Sequence, residues 1–194
     1  MRTPADTIAI LHCKDRQGWT NWLTRHHAAS PRVWLQIGKK GSGLASLSYP
    51  EALEAALCQG WIDGQKKSGD AQSWLQKFTP RRPKSIWSKV NRDKAMALMA
   101  AGQMQAAGLA EVERAKADGR WEAAYDAQSS ATIPEDMAAL LAGRPGARAF
   151  FESLDSRNRY AILFKLQTAS KSETRERRLT QFVDMLIRGE KIYP

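Results

Sequence analysis

The run SYPEALEAALCQGWIDGQKKSGDAQSWLQKF, residues 48–78, holds a helix start, a helix stop and a hairpin, in that order. Ser48-Tyr49-Pro50-Glu51 has capping-box spacing. The serine oxygen can take a free amide of the first turn while Glu51 reaches back to the cap. Leu53, Ala56 and Leu57 then fall on one helical face, and Gly60 ends the helix. Trp61-Ile62-Asp63-Gly64-Gln65 predicts a strand entering a turn. Ser68-Gly69-Asp70 is turn chemistry, and residues 73–78 predict the return strand.

Upstream, residues 7–12 predict a short strand and residues 33–37, rich in β-branched and aromatic side chains, a second. Between them, Trp19, Trp22, Leu23 and His26 recur at spacings of three and four, which predicts a helix over 16–27, and Pro31 breaks the chain after it. These segments predict a small, partly antiparallel sheet with two helices beside it. Downstream, Pro80 and Pro83 lack amide donors, so Thr79–Ser85 is expected to be neither helix nor central strand. Ser88 is a good N-cap for a helix to about Ala101, with Val90, Ala97 and Leu98 on one side. Gly102 and Gly108 bracket a connection, and residues 109–117 predict another helix. Residues 126–132 lack large apolar groups and are the best linker. Beyond them Thr132-Ile133-Pro134-Glu135 repeats the capping-box pattern, and helices are predicted around Phe150, Phe151 and Leu154, around Ile162, Leu163 and Leu166, and through Leu179, Phe182, Val183 and Leu186. The fold class is therefore α+β: a domain over residues 1–125 with a small partly antiparallel sheet and flanking helices, then a helical C-terminal module over 133–194, the two able to pack as one unit.

The 194 residues carry 30 Lys and Arg against 20 Asp and Glu. The excess is uneven. Residues 1–50 hold 7 basic and 2 acidic side chains, whereas residues 101–150 hold 5 and 7. From Lys66 to Lys94 nine bases face only Asp70 and Asp93. Such a field attracts nucleic acid, anionic lipid or acidic protein, and it also serves solubility alone. No apolar run approaches the roughly 18 residues of a membrane-spanning helix. The start, Met1–Thr7, lacks a charged region followed by an apolar stretch, and Cys13 and Cys58 stand in no metal or redox spacing. The expectation is a cytoplasmic protein without membrane insertion.

Metal, cofactor and nucleophile chemistry find little support. His12 and Cys13 are adjacent, so on a strand they point to opposite faces. His26 and His27 sit about 100° apart on a helix. His26 is expected in the apolar stripe and His27 in solvent. No metal and no cofactor is expected, and Cys58 on the apolar side of its helix reads as core. The glycine-rich loop Gly38–Gly43 is not followed by the Lys-Ser/Thr and helix of a phosphate loop. Asp63 is the one candidate acid–base group. It serves equally as an Asp that caps a turn, or pairs with Arg81 or Arg82 to pin the proline segment. Residues 78–92 concentrate the remaining polar information. Arg81, Arg82, Ser85, Trp87, Ser88, Lys89 and Asn91 offer guanidinium forks, a stacking face and hydroxyls near a helix N-terminus. That set suits a phosphate, a carboxylate or single-stranded nucleic acid with a stacked base. It serves equally as a rigid crossover anchored by Trp87.

Several blocks resemble the YdeI/OmpD-associated family, often labelled bacteriocin-protection proteins. They are Val33-Trp34-Leu35, Ser48-Tyr49 leading into Ala55–Gly64, Phe78–Arg82 and Ser85–Asn91. Gly102–Met104, Ala107-Gly108-Leu109 and Ala117–Trp121 continue the likeness, as do Phe151, Arg159-Tyr160, Ala169 and Glu173–Arg178 near the end. The resemblance spans nearly the whole chain. One departure is Gln59, where an apolar residue, often Phe, is expected. The likeness implies a stress-response role in bacteriocin resistance or at the envelope, and it brings no catalytic residue with it. The sequence thus favours binding over catalysis, the partner being a small anion, an acidic protein or nucleic acid. The alternative is an enzyme on a small anionic substrate, using Asp63 with Arg81 and Arg82.

Overall fold

In the computed structural model, which describes residues 8–194, the chain forms two compact units. The first comprises residues 1–85 and 91–121, and the second residues 86–90 and 122–194. The fold is α+β. Among the described residues there are four strands and eight helices.

The first unit is built on one sheet. Its strands are β1 (Ile10–His12), β2 (Val33–Gly38), β3 (Trp61–Ser68) and β4 (Ser73–Pro80), in the order β1-β2-β4-β3. β1 runs parallel to β2, and the other pairings are antiparallel. Thr7, the first residue of the predicted opening strand, lies outside the described residues; so does the stretch Met1–Thr7 read for a leader. β4 continues two residues past the predicted end at Phe78, so Thr79 and Pro80 are strand after all, paired with Ile62 and Trp61. The reason is local. β2 pairs with β4 only as far as Phe78, so Pro80 sits where β4 has a neighbour on one side and a missing amide leaves no gap in the ladder.

Helices α1 (Arg16–His26) and α2 (Tyr49–Cys58) supply the core against this sheet. Trp19, fully buried, tilts against Phe78 at 5.4 Å between ring centres and donates its indole N–H to the Ala52 carbonyl at 3.0 Å. Trp22 meets Trp61 edge-on at 5.9 Å. Such ring pairs add about 0.5–1.5 kcal/mol beyond the area they bury. The capping box of α2 forms as its sequence predicts, with Ser48 accepting from the Glu51 amide and Glu51 accepting from Ser48. His26, expected in the apolar stripe, is exposed, and its ring lies 5.0 Å from that of Trp22. His27, expected in solvent, is half-buried with Nδ1 3.0 Å from the Leu23 carbonyl.

Helix α3 (Lys89–Ala100) buries Ala95 and Leu98, while Val90 and Ala97, expected to share one side with Leu98, are exposed. Helix α4 (Ala106–Ala117) begins earlier than expected and takes in Gly108, placed by its sequence in a connection. Close approach explains the glycine: a Cβ there would stand 2.4 Å from the Cys58 carbonyl oxygen and 2.7 Å from that of Leu57.

The second unit is helical, apart from a parallel bridge between Ser88 and Tyr125. Its helices are α5 (Glu135–Ala142), α6 (Pro145–Ser153), α7 (Ser156–Gln167) and α8 (Ser172–Ile187). Met137, Leu141, Phe151, Ile162, Leu166 and Leu186 lie at the centre of its core. The second capping box does not form. Pro134 occupies the cap of α5, so Thr132 stands two residues before the cap.

Candidate functional site

The hairpin β3–β4 carries the basic stretch into the open. Gln76 sits opposite Lys66 just beyond a register shift, buried, and donates its side-chain amide to the Gly64 and Gln65 carbonyls at 3.0 and 3.3 Å. That bulge leaves Lys66 and Lys67 exposed on opposite faces of the sheet. Lys66 Nζ lies 4.3 Å from the ring centre of Trp74, and Lys67 Nζ 4.4 Å from that of Trp34. Cations over indole faces are held by the ring quadrupole, for about 0.5–1 kcal/mol at exposed sites. The glycine-rich loop is pinned beside the hairpin tip, with Lys39 Nζ donating to the Asp70 and Ala71 carbonyls at 3.0 and 3.2 Å.

Asp63 is half-buried on β3, and its Oδ2 accepts a hydrogen bond from the Tyr49 hydroxyl at 2.9 Å. Burial first, and then the Asp63 carboxylate, hold the Tyr49 phenol well above its ordinary value. Tyr49 opens α2, so this bond fastens the start of the helix to the sheet. Sequence reading missed Tyr49, because the two residues lie fourteen apart and meet only through the α2–β3 packing.

The remaining predicted site residues divide between the units. Arg81 is buried at 5% exposure, and its amide donates to the Gly60 carbonyl. Arg82 is exposed, and its amide donates to Ser85 Oγ at 2.9 Å, closing a tight turn. Arg120 braces that turn, with Nη1 donating to the Ser85 carbonyl at 2.6 Å while Asp118 holds its other side. Asn91 lies half-buried in this unit. Trp87, Ser88 and Lys89 belong to the second unit. Trp87 is buried at 1% exposure and its carbonyl accepts from the Tyr125 amide. Lys89 Nζ stands 2.6 Å from Asp126 Oδ1. Asp126 is a hub. Gln167 donates to its carboxylate and accepts from its amide, both at 2.9 Å, and the Tyr160 hydroxyl donates to its carbonyl. Serine and lysine of the predicted ligand set thus serve the scaffold here.

A second hub joins three helices of this unit. Arg175 on α8 grips the Asp136 carboxylate of α5 through Nε and Nη2, both at 2.9 Å, and donates Nη1 to the Leu166 carbonyl of α7. Arg178 donates to the Lys165 carbonyl at 2.6 Å. The two guanidiniums therefore add hydrogen bonds to the carbonyls at the end of α7, where positive charge is favoured. Among the described residues no three His, Cys, Asp or Glu side chains gather where they could hold a metal ion, and no helix is long and apolar enough to cross a membrane.

A basic α+β unit followed by an arginine-clamped helical unit is the class that this geometry defines. The chain belongs to the family of a domain of unknown function, DUF8412, whose model matches residues 11–111, and its residues 130–189 are similar to the family Bacteriocin-protection, YdeI or OmpD-Associated, whose model they match. No curated protein and no solved structure matches it. The second match is narrower than the resemblance drawn from the sequence. The blocks between Val33 and Trp121 lie outside it, whereas Phe151, Arg159, Tyr160, Ala169 and Glu173–Arg178 lie within. Arg175, Arg178 and Tyr160 are scaffold donors in the structure, so much of that family likeness records how the helices are locked together.

Proposed function

We propose that this chain is a cytoplasmic protein of bacteriocin resistance or envelope stress that acts by binding an anionic ligand or partner. The observation that carries this reading is where the charge falls. The first unit holds 18 basic and 10 acidic residues, the second 12 and 10. Within the basic stretch of the first unit, Lys66, Lys67, Arg82 and Lys84 are exposed. They are the cations that meet an anion, Lys66 lying over the half-buried ring of Trp74. The role in bacteriocin resistance rests on the family match of the C-terminal segment. Catalysis by Asp63 with Arg81 and Arg82 is the weaker reading. Tyr49 occupies the carboxylate, and Arg81 is buried.

The test follows tryptophan fluorescence while a single-stranded oligonucleotide, and separately inorganic phosphate, is titrated at low and high salt. Salt-sensitive oligonucleotide binding without a phosphate response supports an extended polyanion site. A phosphate response alone supports a small-anion pocket. Silence from both removes the reading and leaves the basic surface to solubility.

A further inference from the structure

A groove of about 700 Å³ opens in the first unit between α1, the end of α2 and the segment leading into α4. Its size falls in the roughly 300–1,000 Å³ range of small-molecule sites. Its walls carry an unusual set of groups: the carboxamides of Gln17, Gln59, Gln103 and Gln105, and the hydroxyls of Thr20 and Thr24. Four carboxamides and two hydroxyls make a surface of neutral donors and acceptors.

The charges that reach this groove are already committed. Asp15 caps α1 by accepting from the Gly18 amide at 2.8 Å. Glu51 is held by Ser48 in the capping box, and those bonds keep its carboxyl below the usual range. Arg16 donates to Gln103 at 3.2 Å and lies 3.6 Å from Glu54. Among the described residues no aromatic ring lines the groove, so they offer no platform for a nucleobase.

Gln59 is the informative residue. It is polar yet more than nine-tenths buried, at 8% exposure. Its amide nitrogen makes a long bond to Thr24 Oγ1, 3.4 Å. The wall is also rigid. The Gln105 amide donates to the Cys58 carbonyl at 3.0 Å, and Gly108 lets α4 sit against that same carbonyl.

We propose that this groove is a binding site for a neutral, polyhydroxylated ligand of the saccharide class. Each carboxamide offers a donor and an acceptor side by side, which matches adjacent hydroxyls. The site shares no residue with the exposed cations above, so it stands or falls independently of the anion-binding reading.

The test uses the full ¹⁵N-labelled chain, with glucose, N-acetylglucosamine and di-N-acetylchitobiose titrated as probes and triglycine amide as the peptide control. The expected result is that a saccharide shifts the side-chain amide signals of Gln59 and Gln105 and the backbone around Thr20–Thr24. Gln59→Leu and Thr24→Val should each weaken that binding about tenfold, the scale of one or two neutral hydrogen bonds lost. Thr24 is exposed on α1, so its variant folds even where Gln59→Leu disturbs packing, and thermal unfolding reports which has occurred. Three outcomes overturn the proposal: no saccharide shifts these signals, only triglycine amide does, or both folded variants bind as the parent does.

Discussion

Gly108 shows at the scale of one residue what a sequence hides. As a glycine between two helical stretches it reads as a break, yet it lies inside α4, and its missing side chain is what lets the helix rest on the end of α2. Gly108→Ala gains up to about 1 kcal/mol of helix propensity. It also forces a methyl against backbone carbonyls that cannot rotate away, an overpacking cost of about 1–3 kcal/mol or more. We expect a net loss of about 1–2 kcal/mol, read as a lower urea midpoint at unchanged slope; a more stable variant rules out the contact. Cys13 makes a second point. Burial, with Asp15 adding to it, pushes its thiol up to about 11, so alkylation by iodoacetamide at neutral pH should be slow in the folded chain and become fast in urea. Rapid native alkylation refutes that burial. The partner of Asp63 was out of reach for the same reason as the role of Gly108: each is decided by a neighbour distant in sequence, and local spacing carries no trace of it.

At the scale of elements, sequence did better where chemistry is local. The capping box of α2 was readable because its two partners are three residues apart. The same pattern at Thr132 failed because the proline after it took the cap. Helix α7 is capped by Asp155, which accepts from the Asn158 amide at 2.7 Å and its side chain at 2.9 Å. Asn158 is itself buried and exchanges bonds with the backbone of Tyr193, so the cap also holds the end of the chain. These bonds keep the Asp155 carboxyl below the usual carboxylate range. A depressed folded value means that the unfolded chain binds the proton first as pH falls. The stabilisation is therefore complete above the ordinary value near 3.9, and it is lost as pH drops through the lower folded one. Asp155→Asn keeps a capping side chain but removes this dependence. Urea unfolding between about pH 2 and 5 should show a shallower acid loss for the variant. Parallel curves would assign the acid sensitivity elsewhere. Arg175→Lys tests the other device, because lysine cannot make the two-pronged grip on Asp136 and reach Leu166 at once. We expect a loss of about 1 kcal/mol, against less than about 0.5 kcal/mol for the exposed Arg177→Lys, both from thermal unfolding.

For the whole molecule, what matters is the distribution of charge rather than its sum. Composition alone makes the chain basic, but only the division into units shows that nearly all of the excess belongs to the first. The sequence marked Lys66–Lys94 as the densest stretch, yet it could not separate cations that the scaffold consumes from those left to solvent. Lys89 is spent on Asp126 and Arg81 is buried, whereas Lys66, Lys67, Arg82 and Lys84 stay exposed. If the exposed set contacts a polyanion, each cation removed releases fewer counterions on binding, by about 0.7 in the slope of log K against log salt for a single strand. Lys66→Gln with Lys67→Gln should therefore lower the slope for a single-stranded oligonucleotide by about 1.4, and Arg82→Gln with Lys84→Gln should do the same. Lys171→Gln with Arg177→Gln, both exposed in the second unit, changes the net charge by the same amount and should leave the slope unchanged. Equal drops in all three double variants would mean that the chain attracts anions through its net charge alone, since only a local site distinguishes cations that touch the strand from cations that merely add to the field.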